Sequence, residues 1–152
     1  MLNQADNFQK INDKLFQILK AKDPIKMAKI MEYGSSDIDG QFLGFVDTYY
    51  YLAKIIPKDW RVIDFGCCYA FQSYYFRNHR EYVGVDCSPC PKWSFDNTTH
   101  INATISGYIE PRIANKFDFN YKTFAISNYV PSGQVEQIRA QFQNLYVFYP
   151  QS

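Results

Sequence analysis

Acidic residues stand at the ends of short apolar segments, where a sheet could gather them around a ligand. Asp64 lies near the end of Arg61–Phe65 and comes two residues before Gly66, and Asp86 follows Tyr82–Val85. Asp86 comes about 20 residues after that glycine, which is the spacing of the acid that binds ribose in nucleotide-binding β-α-β units. A carboxylate has two oxygens and can accept a hydrogen bond from each ribose hydroxyl. The pattern therefore predicts a site for a ligand that contains a nucleoside.

The elements around these acids are predicted as strand, tight turn, helix and strand. Arg61–Phe65 is short, apolar and bounded by a glycine, which is typical of a strand buried on both faces. Ala70–Asn78 is predicted as a helix, because Phe71, Tyr74 and Tyr75 recur at the i, i+3, i+4 spacing of one helix face. The short apolar run that follows this helix predicts the second strand.

The rest of the chain alternates between helical and strand patterns, which predicts a parallel sheet with helices on both faces. Three further strands are predicted at Thr99–Ile105, Lys122–Ser127 and Leu145–Tyr149. Five further helices are predicted at Asn3–Lys22, Asp23–Gly34, Gln41–Ile56, Tyr108–Lys116 and Ser132–Asn144.

The turn after the first strand could be one of two kinds. A dinucleotide-binding turn has the pattern G-x-G-x-x-G, of which only Gly66 is present. The alternative places an acid two residues before the first glycine, and residues 64–70 read D-F-G-C-C-Y-A. This stretch resembles the D-x-G-x-G-x-G motif of class I S-adenosylmethionine (SAM)-dependent methyltransferases. Asp64, Gly66 and the small Ala70 fit the motif, whereas Cys68 replaces its second glycine and brings a Cβ into space that a ligand would use.

The resemblance implies a three-layer α/β/α Rossmann-like methyltransferase fold of about five mostly parallel strands in the order 3-2-1-4-5. It also implies SAM as cofactor, with S-adenosylhomocysteine as the product. Residues 58–152 are expected to form a minimal SAM-binding domain, and residues 1–57 an N-terminal helical extension packed on it, as one structural unit. The cofactor-binding residues that the resemblance implies are Asp64, Gly66, Cys67, Cys68, Ala70, Asp86, Asn102, Ala103 and Ser127.

Two stretches that follow predicted strands are assigned by comparison with the same places in the family. Asn102-Ala103 stands where the family has Asp-Ala after its third strand, which implies that Asn102 meets the adenine amino group. Ser127-Asn128-Tyr129-Val130-Pro131 stands where amino-group methyltransferases have N-P-P-Y or D-P-P-Y. By the resemblance, Asn128 and Tyr129 are the catalytic residues: the first holds the amine and the second stacks on the target ring. The alternative for this stretch is a plain strand end, a turn and a helix cap at Ser132.

The same residues allow a second function. Asp64 can be a strand-end acid that ties down the glycine turn, and Asp86 an ordinary solvated strand terminus. The predicted function is therefore a SAM-dependent methyltransferase with an unknown acceptor, and the alternative is a degenerate methyltransferase-like fold that acts as a protein-interaction module without catalysis. Cys68 and the lack of the family's last two strands favour the alternative. The aromatic edge strand Leu145–Tyr149 also favours it, because an unprotected edge invites a homodimer.

Four cysteines raise a third hypothesis, a metal-stabilised binding domain. Cys67 and Cys68 follow the first strand, and Cys87 and Cys90 follow the second. C-x-x-C is a common half of a zinc site, but adjacent cysteines are a poor second half because their side chains point apart. A zinc set of Cys67, Cys87 and Cys90 could add His79 or His100. The alternative is a group of separate, half-buried thiols.

Composition bounds the class of protein. The chain has 152 residues, 47% of them hydrophobic, which is enough for one domain with a substantial core. The net charge is +1 with no run of basic residues, so nucleic acid and anionic membranes are not expected partners. No signal peptide and no apolar stretch near 18 residues are present, so we expect a cytoplasmic protein without a membrane span.

Overall fold

A computed structural model describes residues 41–68, 70–88, 95–128 and 130–148 of the chain. The chain divides into two compact units, Met1–Ile55 and Ile56–Ser152. In the first unit the structure describes helix α1, Gln41–Ile55, at the place that the sequence predicted. The Lys54 ammonium lies 4.3 Å from the centre of the Tyr50 ring one turn earlier in this helix. The predicted helices Asn3–Lys22 and Asp23–Gly34 lie outside the described residues.

The described part of the second unit is built on a five-stranded, entirely parallel sheet in the order β3-β2-β1-β4-β5. The predicted α/β fold with strand order 3-2-1-4-5 is therefore confirmed. The strands are β1, Arg61–Phe65; β2, Glu81–Asp86; β3, Thr98–Asn102; β4, Thr123–Ser127; and β5, Leu145–Val147. The helices are a 3-10 helix, Phe71–Phe76; α2, Ile105–Ala114; and α3, Ser132–Gln141.

Both faces of the sheet bury apolar side chains, and one of them also buries a carboxyl group. On one face, apolar residues of β1, β2 and β4 pack with α2 and α3 in a single hydrophobic core. Phe65 is central to this core, because its ring makes edge-to-face contacts with Tyr108 of α2 and with Phe142 just after α3. Side chains alternate along a strand, so Asp64 points to the other face, where it meets residues of β2 and the 3-10 helix.

The segment expected to form an α-helix after the first strand is instead the six-residue 3-10 helix. Its start is tight, because Ser73 N–H donates to the Ala70 carbonyl, three residues back, at 3.0 Å. Gln72, Ser73, Tyr74 and Phe76 are all buried. The segment is thus enclosed on several sides, and the expected single apolar face was wrong. A 3-10 helix has three residues per turn and is used in short connections of this kind.

The boundary between β3 and α2 also differs from the expectation. The sequence predicted a strand through Ile105, whereas β3 ends at Asn102 and α2 starts at Ile105. Thr104 is the cause, because its hydroxyl accepts a hydrogen bond from Gly107 N–H at 3.0 Å and so caps the helix. Helix α2 then runs through Pro111 to Ala114. No helix in the described ranges is long and apolar enough to cross a membrane.

Gly84 in β2 is required by the packing of its neighbours. It lies between Asp64 of β1 and His100 of β3 in the strand register. A Cβ at this position would lie 2.8 Å from Cys67 Sγ and 3.3 Å from His100 Nδ1. The buried Cys67 side chain therefore occupies the space that the glycine leaves open. By contrast, a Cβ at Gly133 in α3 would meet nothing within 4 Å.

These two glycines should respond oppositely to alanine. We expect Gly84→Ala to lower the free energy of unfolding by about 1–3 kcal/mol, because the core is already filled there. Cys67→Ala in the same chain should recover part of this loss. Gly133→Ala, the matched control in a helix, should raise the free energy of unfolding by up to about 1 kcal/mol. Urea denaturation measures all three variants, and a Gly84→Ala protein as stable as the wild type would contradict the packing argument.

Candidate functional site

The loops at the carboxyl ends of the strands form the candidate site. Its described residues, which we call the carboxyl-end site, are 66–68, 70, 86–88, 102–103 and 127–128. The chain runs from β1 outward to β2 and β3, and then returns to β4 on the other side of β1. The strand order therefore reverses between β1 and β4, and open parallel sheets bind ligands in the crevice at this reversal.

The turn after β1 has an unusual backbone. Gly66, Cys68 and Ala70 have positive φ angles of 78°, 53° and 56°. These are the three positions at which the D-x-G-x-G-x-G motif has glycine. Only glycine adopts this left-handed conformation without steric cost, and other residues lose about 1–2 kcal/mol. The turn thus has left-handed conformations at three alternate positions, although only the first of them is glycine.

Gly66 also brings the ends of β1 and β4 together. A Cβ at this position would lie 2.5 Å from the Asn128 carbonyl oxygen and 3.2 Å from Val130 Cγ1. The Asn128 N–H donates to the Phe65 carbonyl at 2.9 Å. A larger residue at position 66 would therefore separate the two strand ends where the strand order reverses.

Asp64 is buried, and its hydrogen bonds stabilise the turn after β1. Its side chain is fully buried, and its Oδ2 accepts hydrogen bonds from the Tyr82 hydroxyl at 2.5 Å and from Gln72 Nε2 at 2.8 Å. Gln72 Nε2 also donates to the Cys67 carbonyl at 3.0 Å. This arrangement is the one expected if Asp64 ties down the turn, because Gln72 contacts both the carboxyl group and the turn.

Asp86 is half-buried and links the loops that follow β1 and β2. Its Oδ2 accepts a hydrogen bond from Cys68 N–H, and its Oδ1 accepts one from Ser88 N–H, both at 2.8 Å. A carboxylate oxygen has two lone pairs, so each oxygen can accept one more donor. Asp86 therefore combines a structural role with the capacity to bind two hydroxyl groups.

The loop after β3 is joined to the same network. Asn102 Nδ2 donates to the Ser88 carbonyl at 2.7 Å, and Ala103 N–H donates to the Asp86 carbonyl at 3.0 Å. Asn102 is exposed, so its remaining amide oxygen faces solvent-accessible space. The structure thus brings together the predicted residues that follow β1, β2 and β3.

The end of β4 carries two buried polar atoms without a partner. Ser127 is fully buried and Asn128 is 7% exposed. Within the described ranges, neither Ser127 Oγ nor Asn128 Oδ1 has a hydrogen-bond partner. Leaving such an atom unsatisfied costs about 1–3 kcal/mol, and a donor on a ligand in the crevice would remove that cost. Tyr129, which the sequence paired with Asn128, lies outside the described residues.

The cysteines do not form a metal site in the described part of the chain. Cys67 is buried, whereas Cys68 and Cys87 are exposed. Among the residues that the structure describes, no three histidine, cysteine or acidic side chains are placed to hold a metal ion. Cys90, which the zinc hypothesis also needs, lies outside those residues, so that hypothesis stays a prediction.

Sequence reasoning missed three residues of this network: Gln72, Tyr82 and Ser88. Tyr82 starts an otherwise aliphatic run two residues before Gly84, which places it on the same face as Asp64. Gln72 is a polar residue in a segment dominated by aromatic ones. Tyr82 and Gln72 are therefore unusual residues for their segments, but the sequence does not show their hydrogen-bond partners, which depend on the register of the strands.

Comparisons with protein-family models, with curated proteins and with solved structures found no match for this chain. Any functional conclusion must therefore rest on the fold and on the residues of the carboxyl-end site.

The hydroxyl of Tyr82 offers a direct test of the support beneath the turn. We expect Tyr82→Phe to lower the free energy of unfolding by about 2 kcal/mol, because it removes a hydrogen bond from a buried carboxylate. Tyr121→Phe, at an exposed tyrosine, is the matched control and should change it by less than about 0.5 kcal/mol. Equal stabilities of the two variants in urea denaturation would show that the Tyr82 hydroxyl does not hold Asp64.

Proposed function

We propose that this chain is a class I SAM-dependent methyltransferase. The observation that carries the proposal is the turn after β1, in which all three glycine positions of the D-x-G-x-G-x-G motif have positive φ angles. Glycine adopts positive φ angles without steric cost, so a motif with glycine at these positions is compatible with such a backbone. The confirmed strand order supports the proposal, because it puts this turn beside the reversal between β1 and β4.

The charge of the site favours SAM over a dinucleotide. Residues 66–70, 86–88, 102–104 and 127–131 contain no lysine or arginine, whereas Asp86 contributes a carboxylate. Dinucleotide-binding sheets hold a pyrophosphate at the N-terminus of a full α-helix. Here the turn leads into a six-residue 3-10 helix. A site of this charge suits a cationic sulfonium better than an anionic pyrophosphate.

Each residue of the site then has a proposed role. The free lone pairs of Asp86 bind the two ribose hydroxyls, and Asn102 with Ala103 lies on the adenine side. The backbone of residues 66–70, including Cys67 and Cys68, binds the methionine part. SAM supplies an activated methyl group, so the protein's main task is to align the acceptor with it. Asp64 is a positioning residue that holds the turn.

The acceptor side of the proposal involves the end of β4. Asn128 Oδ1 can only accept a hydrogen bond, so it would hold an N–H or O–H group of the acceptor, with Ser127 Oγ beside it in the chain. Tyr129 is proposed to stack on the acceptor, as the resemblance implies. The cytoplasm is the proposed location, on the sequence pattern alone.

Calorimetric titration with SAM and with S-adenosylhomocysteine tests the cofactor site. We expect micromolar binding by the wild type and a loss of about 10- to 100-fold in Asp86→Asn, because hydrogen bonds to a charged group disappear. Asp96→Asn makes the same charge change at an exposed residue before β3, at the opposite end of the sheet, and should bind like the wild type. Thermal unfolding of each variant checks that it is folded. The absence of heat for both ligands in a folded wild-type protein would end the enzyme proposal.

Two cysteine-to-glycine substitutions distinguish the effect of backbone strain on stability from the effect of losing a side chain. Cys68→Gly should raise the free energy of unfolding by about 0.5–1 kcal/mol, because it relieves a left-handed cysteine, and SAM should bind at least as tightly. Cys87→Gly, at an equally exposed cysteine without a positive φ, should instead lower stability. The same loss of stability in both variants, measured by urea denaturation, would contradict the strained turn.

One observation favours the alternative, a protein-interaction module without catalysis. Both Asp86 oxygens already accept backbone hydrogen bonds, and Asn102 Nδ2 is also engaged. The loops are thus held together without any ligand. The proposed contact surface in this case is β5, the last strand in the described sheet, where the Tyr146 side chain is exposed and a second copy could pair with the edge.

Sedimentation equilibrium tests this homodimer. Tyr146→Lys should weaken the dimer, because a lysine on an edge strand opposes pairing. Tyr121→Lys, at an exposed tyrosine just before β4, is the matched control and should leave the dimer intact. A wild-type protein that stays monomeric at high concentration would remove β5 as the contact surface.

A further inference from the structure

His79 is a buried titratable residue that the proposed function does not use. It follows the 3-10 helix, is 3% exposed, and lies against the edge of the Phe76 ring at a centroid distance of 5.3 Å. Its Nε2 lies 3.0 Å from the carbonyl oxygen of Ile56. Ile56 is the first residue of the second unit and directly follows the last residue of α1.

The chemistry of this contact defines the protonation state of the imidazole. A carbonyl oxygen can only accept, so Nε2 must carry the hydrogen and donate it. In the neutral ring Nδ1 is then an acceptor. No donor to Nδ1 exists among the residues that the structure describes, and the atom is buried. Protonation would place a second N–H at this position, buried and without an acceptor in the described part of the chain.

A second hydrogen bond joins the same two segments. Arg80 N–H donates to the Lys58 carbonyl at 2.8 Å, next to the His79–Ile56 contact. His79 is itself held in place, because its N–H donates to the Phe76 carbonyl at 2.9 Å and its carbonyl accepts from Asn97 Nδ2 at 2.9 Å. The junction after α1, residues 56–60, is therefore hydrogen-bonded at two adjacent points to a segment that is itself hydrogen-bonded to Phe76 and Asn97.

We propose that His79 is a pH-sensitive latch: the neutral imidazole holds the junction, residues 56–60, against the segment that follows the 3-10 helix, and protonation of the imidazole releases it. The junction leads directly from α1 into β1. Release would therefore loosen the chain at the boundary between the two units while the sheet stays folded.

The surrounding charges support this direction of the response. Burial and the positive charge of Lys58 lower the pKa of His79 from its ordinary value of 6.5, against the opposing effect of the Ile56 hydrogen bond. The other cations next to His79 in the chain are Arg77 and Arg80. Of the acids in the adjoining segments, Asp59 pairs with Lys122 and Glu81 pairs with Arg61, whereas Asp96, next to Asn97, is exposed to solvent.

The sign of the pH effect follows from this lowered pKa. Well above pH 6.5 the imidazole is neutral in both the latched and the released state, and the latch has its full strength. As the pH falls below 6.5, the released state binds a proton first, and the latch weakens until the lowered pKa of the latched state is reached. In that pH range, each fall of one pH unit can increase the equilibrium constant for opening of the junction by up to about tenfold.

Amide hydrogen exchange at pH 7.5 and 5.5, corrected for the intrinsic pH dependence of exchange, tests the latch in the full chain. The amides of Arg80 and Trp60 are hydrogen-bonded in the closed junction. We expect their opening to increase up to about tenfold at pH 5.5 while the amides of β1 and β4 remain protected. His79→Gln keeps a donor near the Nε2 position and should abolish the increase, whereas His100→Gln, the matched control, should keep it. No increase in the wild type, or an equal increase throughout the sheet, would overturn the proposal.

A measurement on the wild type keeps the proposal testable if His79→Gln does not fold. Nitrogen-15 NMR of the imidazole distinguishes the two neutral tautomers and gives the titration midpoint. We expect hydrogen on Nε2 and a midpoint below 6.5. Hydrogen on Nδ1, or a midpoint at or above 6.5, would overturn the latch.

Discussion

The buried carboxylate of Asp64 is the constraint on which the rest of the sheet unit depends. A carboxyl group in the interior is costly unless hydrogen bonds replace those it made with water. Tyr82 and Gln72 supply these bonds from two different elements. One requirement thus connects β1, β2 and the 3-10 helix on a single face of the sheet. The core on the opposite face does not depend on such hydrogen bonds, because it is formed by apolar and aromatic side chains around Phe65.

The shape of the turn after β1 follows from this support. Gln72 binds both the Asp64 carboxylate and the Cys67 carbonyl, so the turn must fold back over the end of the strand. Within so few residues the backbone does this with left-handed conformations at alternate positions. The Cys67 side chain is then directed onto Gly84, where a Cβ would collide with it. The small residues of this region are therefore a consequence of the turn.

The same network serves either of the two functions proposed here. Asp86 joins the loops after β1 and β2, and Asn102 joins the loop after β3 to them. Pre-organised loops of this kind lower the entropy cost of binding a ligand, and they would also give rigidity to a module that only binds proteins. Among the residues that the structure describes, Ser127 Oγ and Asn128 Oδ1 have no hydrogen-bond partner, and a bound ligand would be one way to provide partners for them.

Much of the fold was predictable because it depends on local pattern. The residues of β1 were predicted without error, the order of the strands was implied by the resemblance of the turn, and α1 and α3 begin where the sequence placed them. Hydrophobic periodicity is a property of neighbouring residues and can be read along the chain. The positions of Asp64, Gly66 and Asp86 at strand ends followed from the same pattern.

The tertiary structure decided what those residues do. The backbone of Cys68, the 3-10 form of the segment after it, and the short β3 with Thr104 as a helix cap were not predicted. The hydrogen bond of Tyr82 with Asp64 and that of His79 with Ile56 join residues 18 and 23 positions apart. Such contacts depend on the register of strands and on which groups become buried together. The sequence alone therefore determined the elements and their order, and packing determined the hydrogen-bond partners, because a buried polar group binds whatever the fold brings within reach.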